Sequence, residues 1–228
     1  MPVDRYHAFS NSVTVQANGV PKNFIQRYFR RKIMHLYSYF EELVAQEATE
    51  LFSQKALLGK DCRFGSRAWC VNRGTRGNIQ LGNNVVCRGI LRSEPFHPGN
   101  ILIGDFVYIG DDCIISCAEK IEIGAFTLIA HGVQIFDNDS HPVSPALRER
   151  DYQMILGLLV GERADIARAP INIGERVWIG FNAILMKGIS IGSESIVAAG
   201  SVVTSDVPAH AIVAGNPARV VKDINHLH

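Results

Sequence analysis

Residues 173–208 read IGERVW-IGFNAI-LMKGIS-IGSESI-VAAGSV-VTSDVP, six consecutive hexads. Each opens on an aliphatic residue: Ile173, Ile179, Leu185, Ile191, Val197 and Val203. The fifth place holds a small or β-branched residue: Val177, Ala183, Ile189, Ser195, Ser201 and Val207. Helices repeat apolar residues every three or four positions and half-buried strands every two, so a period of six fits neither. It fits a short strand followed by a corner. Alternation along the strand lets the first and fifth residues both face an axis. Glycine in second place, at Gly174, Gly180 and Gly192, suits the corner because it accepts backbone angles closed to other residues. Three such sides close a coil of eighteen residues, and stacked coils bury aliphatic ladders between them.

The register continues upstream. Ile103-Gly104, Ile109-Gly110 and Ile115 form one block, and Ile123-Gly124, Ile129-Ala130 and Ile135 another, with two extra residues between Ile115 and Ile123. A weaker block starts at Leu81-Gly82 and Cys87 and dissolves at Ser93-Glu94-Pro95. The expected organisation is a mainly β chain: an N-terminal, largely helical extension over residues 1–60, then a β-coil domain over residues 61–224 interrupted by a loop insertion at about 137–170. Within the extension, residues 21–58 read as helix. Asn18-Gly19-Val20-Pro21 is its start signal and Gly59 its stop. Phe29, Ile33, Leu36, Phe40, Leu43 and Val44 make one apolar stripe. Arg27, Arg30, Arg31 and Lys32 come early and Glu41, Glu42, Glu47 and Glu50 late, against the helix-dipole preference. A break near residues 46–50, or a partner surface, would ease this. A solvated face explains the basic cluster better than a membrane does.

Composition narrows the class. The chain has 228 residues, 47% hydrophobic and 20% charged, with a formal net charge of +1. That is one full domain able to bury a core, without the basic excess of a nucleic-acid binder. No apolar run reaches the roughly 18 residues of a membrane span. The first residues do not read as a secretion signal. Five cysteines, Cys62, Cys70, Cys87, Cys113 and Cys117, lack metal-ligand spacing and read as free thiols in a reducing compartment. A cytoplasmic protein is expected.

Long insertions between coils are usually functional. This one opens Asp137-Asn138-Asp139-Ser140-His141-Pro142 and carries the apolar run Met154–Val160, which needs cover from the same or a neighbouring subunit. Of the eight histidines, His7, His226 and His228 are terminal, His35 lies in the helix, His97 and His131 lie in a loop and at a corner, and His210 is near the end. His141 stands out at the mouth of the insertion, where proline fixes the backbone. It is either a site residue or a turn cap.

The hexads, with Ala199-Gly200-Ser201-Val202-Val203-Thr204 and Val213-Ala214-Gly215-Asn216-Pro217-Ala218-Arg219, resemble the hexapeptide-repeat acyltransferases. The resemblance covers about residues 75–224, and its end looks like the maltose, galactoside and nodulation-factor O-acetyltransferases and like bacterial polysaccharide O-acetyltransferases. The resemblance implies a left-handed parallel β-helix and a homotrimer with active sites between subunits. Acetyl-CoA is the implied co-substrate, and no metal is expected. The family's histidine–proline pair implies that His141 is the general base, a role suited to imidazole at neutral pH. Asp137 and Asp139 can orient it, or form the turn, and Asn138 can touch the acceptor or close the turn. Matching the family's cofactor groove implies coenzyme A contacts at Gly180, Phe181, Ala199, Thr204 and Ser205. It also implies phosphate contacts at Arg219 and Lys222.

Two departures concern the acceptor. Gly110 stands where the galactoside and maltose enzymes have asparagine, and residues 1–60 hold no counterpart of their acceptor segment. Phe181 replaces a smaller polar residue. The N-terminal helical unit and the long insertion suit a larger or different acceptor, and the expected activity is O-acetylation of a saccharide hydroxyl, on a polysaccharide or its precursor. The alternatives are an acetyltransferase for a non-sugar small molecule such as an antibiotic, a non-catalytic scaffold, or a metal-dependent β-helix enzyme holding its zinc through three histidines.

Overall fold

Both marked positions of every hexad point inward. In the computed structural model, which describes residues 24–94 and 97–225, all six residues opening the hexads from Ile173 to Val203 are buried. So are Val177, Ala183, Ile189, Ser195, Ser201 and Val207. Each fully buried isoleucine in these ladders contributes roughly 2 kcal/mol relative to leaving it in water. The short strands stack in parallel into three sheets. The first collects Leu57–Leu58, Ile79–Leu81, Asn100–Ile103, Lys120–Ile123, Ile171–Ile173 and Ser190–Ile191. The second includes Tyr108–Ile109, Leu128–Ile129, Trp178–Ile179 and Ile196–Val197, and the third Ile90–Ser93, Ile114–Cys117, Gln134–Phe136, Ile184–Leu185 and Val202–Val203. The architecture is a mainly β, parallel β-helix of left-handed type. An antiparallel pair, Ala211–Gly215 with Ala218–Asp223, ends the second sheet.

Register follows the period. Asn172 lies over Ser190, eighteen residues on. Ile103 lies over Ile123, twenty on, and the two extra residues bulge at the corner. The coils begin at Leu57–Leu58, earlier than the hexad pattern is visible in the sequence. Leu58-Gly59 and Phe64-Gly65 do carry the apolar–glycine pair six residues apart, but Gly59 reads equally as the stop of the preceding helix.

The corner glycines have a different cause from the one the hexads suggest. Positive φ falls at the fourth place of the hexad, at Phe106, Phe126, Arg176, Asn182 and Glu194 among others, with φ between 54° and 61°. The second-place glycines are required by close stacking. A Cβ on Gly124 would stand 2.5 Å from the Gly174 carbonyl carbon, and one on Gly174 would stand 2.6 Å from Ser193 N. Bulky residues therefore occupy left-handed backbone, an uncommon placement. Phe106 and Phe126 use it to stack on each other at 4.8 Å, with Arg176 over the Phe126 ring.

The chain divides into two units, residues 1–40 and 41–228. Helix α1 (Phe24–Lys55) runs unbroken through residues 46–50, so no break there relieves its charge order. Within the second unit Ala48 and Phe52 are buried, and Phe52 stacks on Phe64 at 4.1 Å. The apolar stripe from Phe29 to Val44 is exposed along its whole length. The proposed start signal at residues 18–21 and the terminal histidines His7, His226 and His228 lie outside the described residues. Among those residues no helix is long and apolar enough to cross a membrane.

All five cysteines are free thiols. Burial pushes Cys70 and Cys113 up to about 11 and Cys87 to about 12, and raises Cys117 further. Only thiolates are nucleophilic. Native protein treated with a thiol-reactive disulfide reagent at pH 8 is therefore expected to react chiefly at half-buried Cys62. The other four should react only on unfolding, a difference read by peptide mass mapping.

Candidate active site

The insertion leaves the third sheet after Gln134–Phe136, and its base is pinned. Asp139 N–H donates to Ala167 O at 3.0 Å, Ala169 N–H donates to Asp137 O at 2.9 Å, and Asn138 bridges to Arg168. Asn138 Oδ1 then accepts the Ser140 N–H at 2.9 Å. Ser140 turns through φ 61°, and the His141 N–H returns to Asp139 O at 2.6 Å. This side-chain-closed turn projects His141 outward. Helix α2 (Pro145–Ile155) follows, with Pro145 in its first turn. Its Arg148 donates to Pro142 O and Val143 O, tying loop to helix.

The partner of the imidazole comes from α2. His141 Nδ1 lies 2.8 Å from Asp151 Oδ2. The Asp151 side chain is fully buried, and Arg163 clamps it with Nη2 at 2.6 Å from Oδ2 and Nε on Oδ1. Arg163, the largest cause, holds the Asp151 carboxyl below its usual range, and the His141 hydrogen bond adds to the effect against the penalty of burial. An ionised carboxylate only accepts, so Nδ1 carries a proton, and in the neutral imidazole the lone pair is on Nε2. Half of the His141 side chain remains exposed. It lines a pocket of about 190 Å³ with Arg92, Glu94, Asn138, Ile155 and Arg163 among others.

Asp137 and Asp139 serve elsewhere. Asp137 is buried and accepts the N–H groups of Ala118, Glu119 and Lys120 at 2.7, 2.8 and 2.9 Å. It therefore satisfies the corner opened by the two extra residues. Asp139 pairs with Lys187. Neither carboxylate is the one at His141 Nδ1, because the turn directs both back onto the coil. Asn138 does line the pocket, while its amide donates to Asp137 Oδ1 at 3.0 Å. Asp151, Arg163 and Glu94 are additions that no short spacing reveals. Asp151 reaches His141 only because α2 folds back. The sequence signal for it is a carboxylate on a helical stretch inside the insertion.

The expected cofactor residues stand apart from this pocket. Gly180 is buried under the next coil, and a Cβ there would meet Ala199 N at 2.6 Å. Phe181 is exposed at the corner between the second and third sheets, and Ala199, Thr204 and Ser205 are exposed too. Arg219 and Lys222 are exposed on Ala218–Asp223. His97 and His131 each face their own carboxylate, Asp165 and Asp111, at 3.3 Å. The apolar run after α2 is uncovered on this chain, with Leu158 and Val160 exposed.

Comparison with known proteins fits these observations. Residues 170–205 match the family model described as a hexapeptide repeat of succinyl-transferase. The chain is 32% identical over 156 residues to a putative lipopolysaccharide biosynthesis O-acetyl transferase, WbbJ, of Escherichia coli K12, covering 66% of this chain and 74% of that protein. It is 42% identical over 145 residues to nodulation protein L of Rhizobium meliloti, covering 62% and 72%. In fold it is similar to AntD, an N-acyltransferase from Bacillus cereus in complex with dTDP and 3-hydroxybutyryl-CoA. The TM-score is 0.61 at 21% identity, over 78% of this chain and 89% of that one. Identity and coverage at this level, on a coil built from the same hexads, place the chain in the hexapeptide-repeat acetyltransferase family.

Proposed function

We propose that the protein transfers the acetyl group of acetyl-CoA to a hydroxyl of a saccharide, either a polysaccharide or its precursor, with His141 as general base. One observation carries this reading. Nδ1 of His141 is fixed on a buried, Arg163-clamped carboxylate, so Nε2 is left as a basic site in an open pocket. The names of similar proteins support acyl transfer from coenzyme A: one is a putative lipopolysaccharide biosynthesis O-acetyl transferase, and AntD, similar in fold, is an N-acyltransferase in complex with 3-hydroxybutyryl-CoA.

In the proposed step the acceptor oxygen attacks the thioester carbonyl carbon as its proton passes to Nε2. Asp151 stabilises the imidazolium that forms, as a triad carboxylate does. When the C–S bond breaks, the same proton returns to the leaving thiolate. The Phe181 N–H is the proposed oxyanion donor, a role independent of its side chain. Gly180, Ala199, Thr204 and Ser205 form the proposed groove for the pantetheine arm, and Arg219 and Lys222 hold the phosphates at its far end. Because these residues stand apart from the His141 pocket, a homotrimer with sites between subunits is the assembly we propose. Cytoplasmic localisation belongs to the same reading.

The test is release of coenzyme A from acetyl-CoA in the presence of a panel of mono- and oligosaccharides, with the product located by mass spectrometry. Acceptor-dependent release is expected. Release confined to non-sugar acceptors would reject the saccharide. Arg219→Ala is expected to raise the KM for acetyl-CoA roughly tenfold with kcat little changed, the signature of lost ground-state binding.

A further inference from the structure

Among the described residues, one cation in the His141 pocket has no anion. The lining residues include three basic side chains besides His141: Arg92, His97 and Arg163. Arg163 is spent on Asp151 and His97 faces Asp165. Arg92 lies in Ile90–Ser93 between buried Leu91 and Ser93, so alternation turns it outward into the pocket, where it is half-buried. Among the described residues it makes no hydrogen bond or ion pair. Glu94, two positions on and lining the same pocket, accepts the Ser116 hydroxyl at Oε1 and forms no ion pair with Arg92. Holding a guanidinium away from bulk water without a partner is unfavourable, and a ligand anion removes that penalty.

We infer that the acceptor carries a carboxylate or phosphate group that pairs with Arg92, making this the pocket of an anionic saccharide. The inference rests on the saccharide reading above and deepens it. A guanidinium presents a planar fork that matches either anion in two parallel hydrogen bonds. Such a contact orients the sugar ring as well as binding it. Glu94, an acceptor-only group beside the fork, suits a sugar hydroxyl and disfavours a second anion there. Arg92 is thus a specificity residue, distinct from the base and from the pair that positions it.

The test measures binding of three probes to the full-length protein by titration calorimetry: glucuronic acid for the carboxylate, glucose 1-phosphate for the phosphate, and glucose as the neutral control. At least one anionic probe should bind roughly tenfold or more tighter than glucose. That advantage should vanish in Arg92→Gln and largely survive in Arg92→Lys, with glucose binding unchanged in both. The stronger anionic arm names the group. Equal binding of all three probes, or an advantage that survives Arg92→Gln, overturns the inference. The lysine variant, together with unchanged acetyl-CoA binding, separates loss of the cation from loss of the fold. Acetyl transfer to the same probes is scored separately. Arg92-dependent binding without transfer to any saccharide upholds the anion site and overturns the saccharide O-acetyltransferase reading. Transfer to the anionic probes that is no better than transfer to glucose and is indifferent to Arg92 does the reverse.

Discussion

Replacing His141 by alanine is expected to lower kcat for acetyl transfer by about 10²–10⁴-fold, the range that a positioned general base contributes. The affinity for acetyl-CoA should stay near the wild-type value. The expectation comes from the separation of parts. The imidazole is held by a side-chain-closed turn and by α2, whereas the residues proposed for the cofactor lie on other corners of the coil. Half of the His141 side chain is exposed, so its removal opens no core cavity and leaves stability nearly unchanged. Steady-state kinetics with a thiol-trapping readout, beside calorimetric titration of acetyl-CoA, separates the two quantities. An intact kcat would remove the base from this residue. A parallel loss of acetyl-CoA binding would instead make His141 a binding residue.

Much of this molecule can be read from its hexads, and the exceptions have physical causes. Ile173 to Val207 declare both the strand and the inward face, because a period of six leaves few other ways to bury the same positions. The glycines at 124 and 174 are legible as corners, yet their cause is the neighbouring coil, 2.5–2.6 Å from a would-be Cβ, and sequence spacing along one strand carries no trace of it. The first coil from Leu57 is hidden because Gly59, which follows Leu58 as the hexad pattern requires, reads equally as the stop of the helix before it. His141 is visible from its place at the mouth of the insertion and from family likeness. Its partner is not. Asp137 and Asp139 are nearest in sequence, but local turn geometry commits them to backbone N–H groups and to Lys187. Asp151 becomes available only when α2 packs back over the turn, a tertiary event. Arg92 and Glu94 sit where the weakest block of the repeat dissolves, so pattern alone gives them no role.

Asp151 carries the second large effect, in stability and activity together. Its carboxylate is fully buried between His141 and Arg163. Asp151→Ala removes the buried carboxylate from the largely enclosed Arg163 guanidinium, and breaking such a pair costs about 3 kcal/mol. The same change frees the imidazole to rotate and to take the wrong tautomer, so kcat is expected to fall by about 10²-fold or more. A double replacement, Asp151→Leu with Arg163→Met, separates the two consequences. It removes both charges, so most of the stability should return while the activity does not. Recovery of both would make the pair purely structural. Acid provides an independent check. Because Arg163 holds the folded-state carboxyl below its unfolded value, the contribution of Asp151 is present in full above the unfolded pKa of about 3.9. It is lost as the pH falls through the lower, folded-state value. The stability difference between wild type and Asp151→Asn, from urea unfolding, should therefore be flat from pH 7 to 5 and shrink below about pH 4. A difference that had already vanished near pH 6 would reject a folded-state carboxyl held below its usual range.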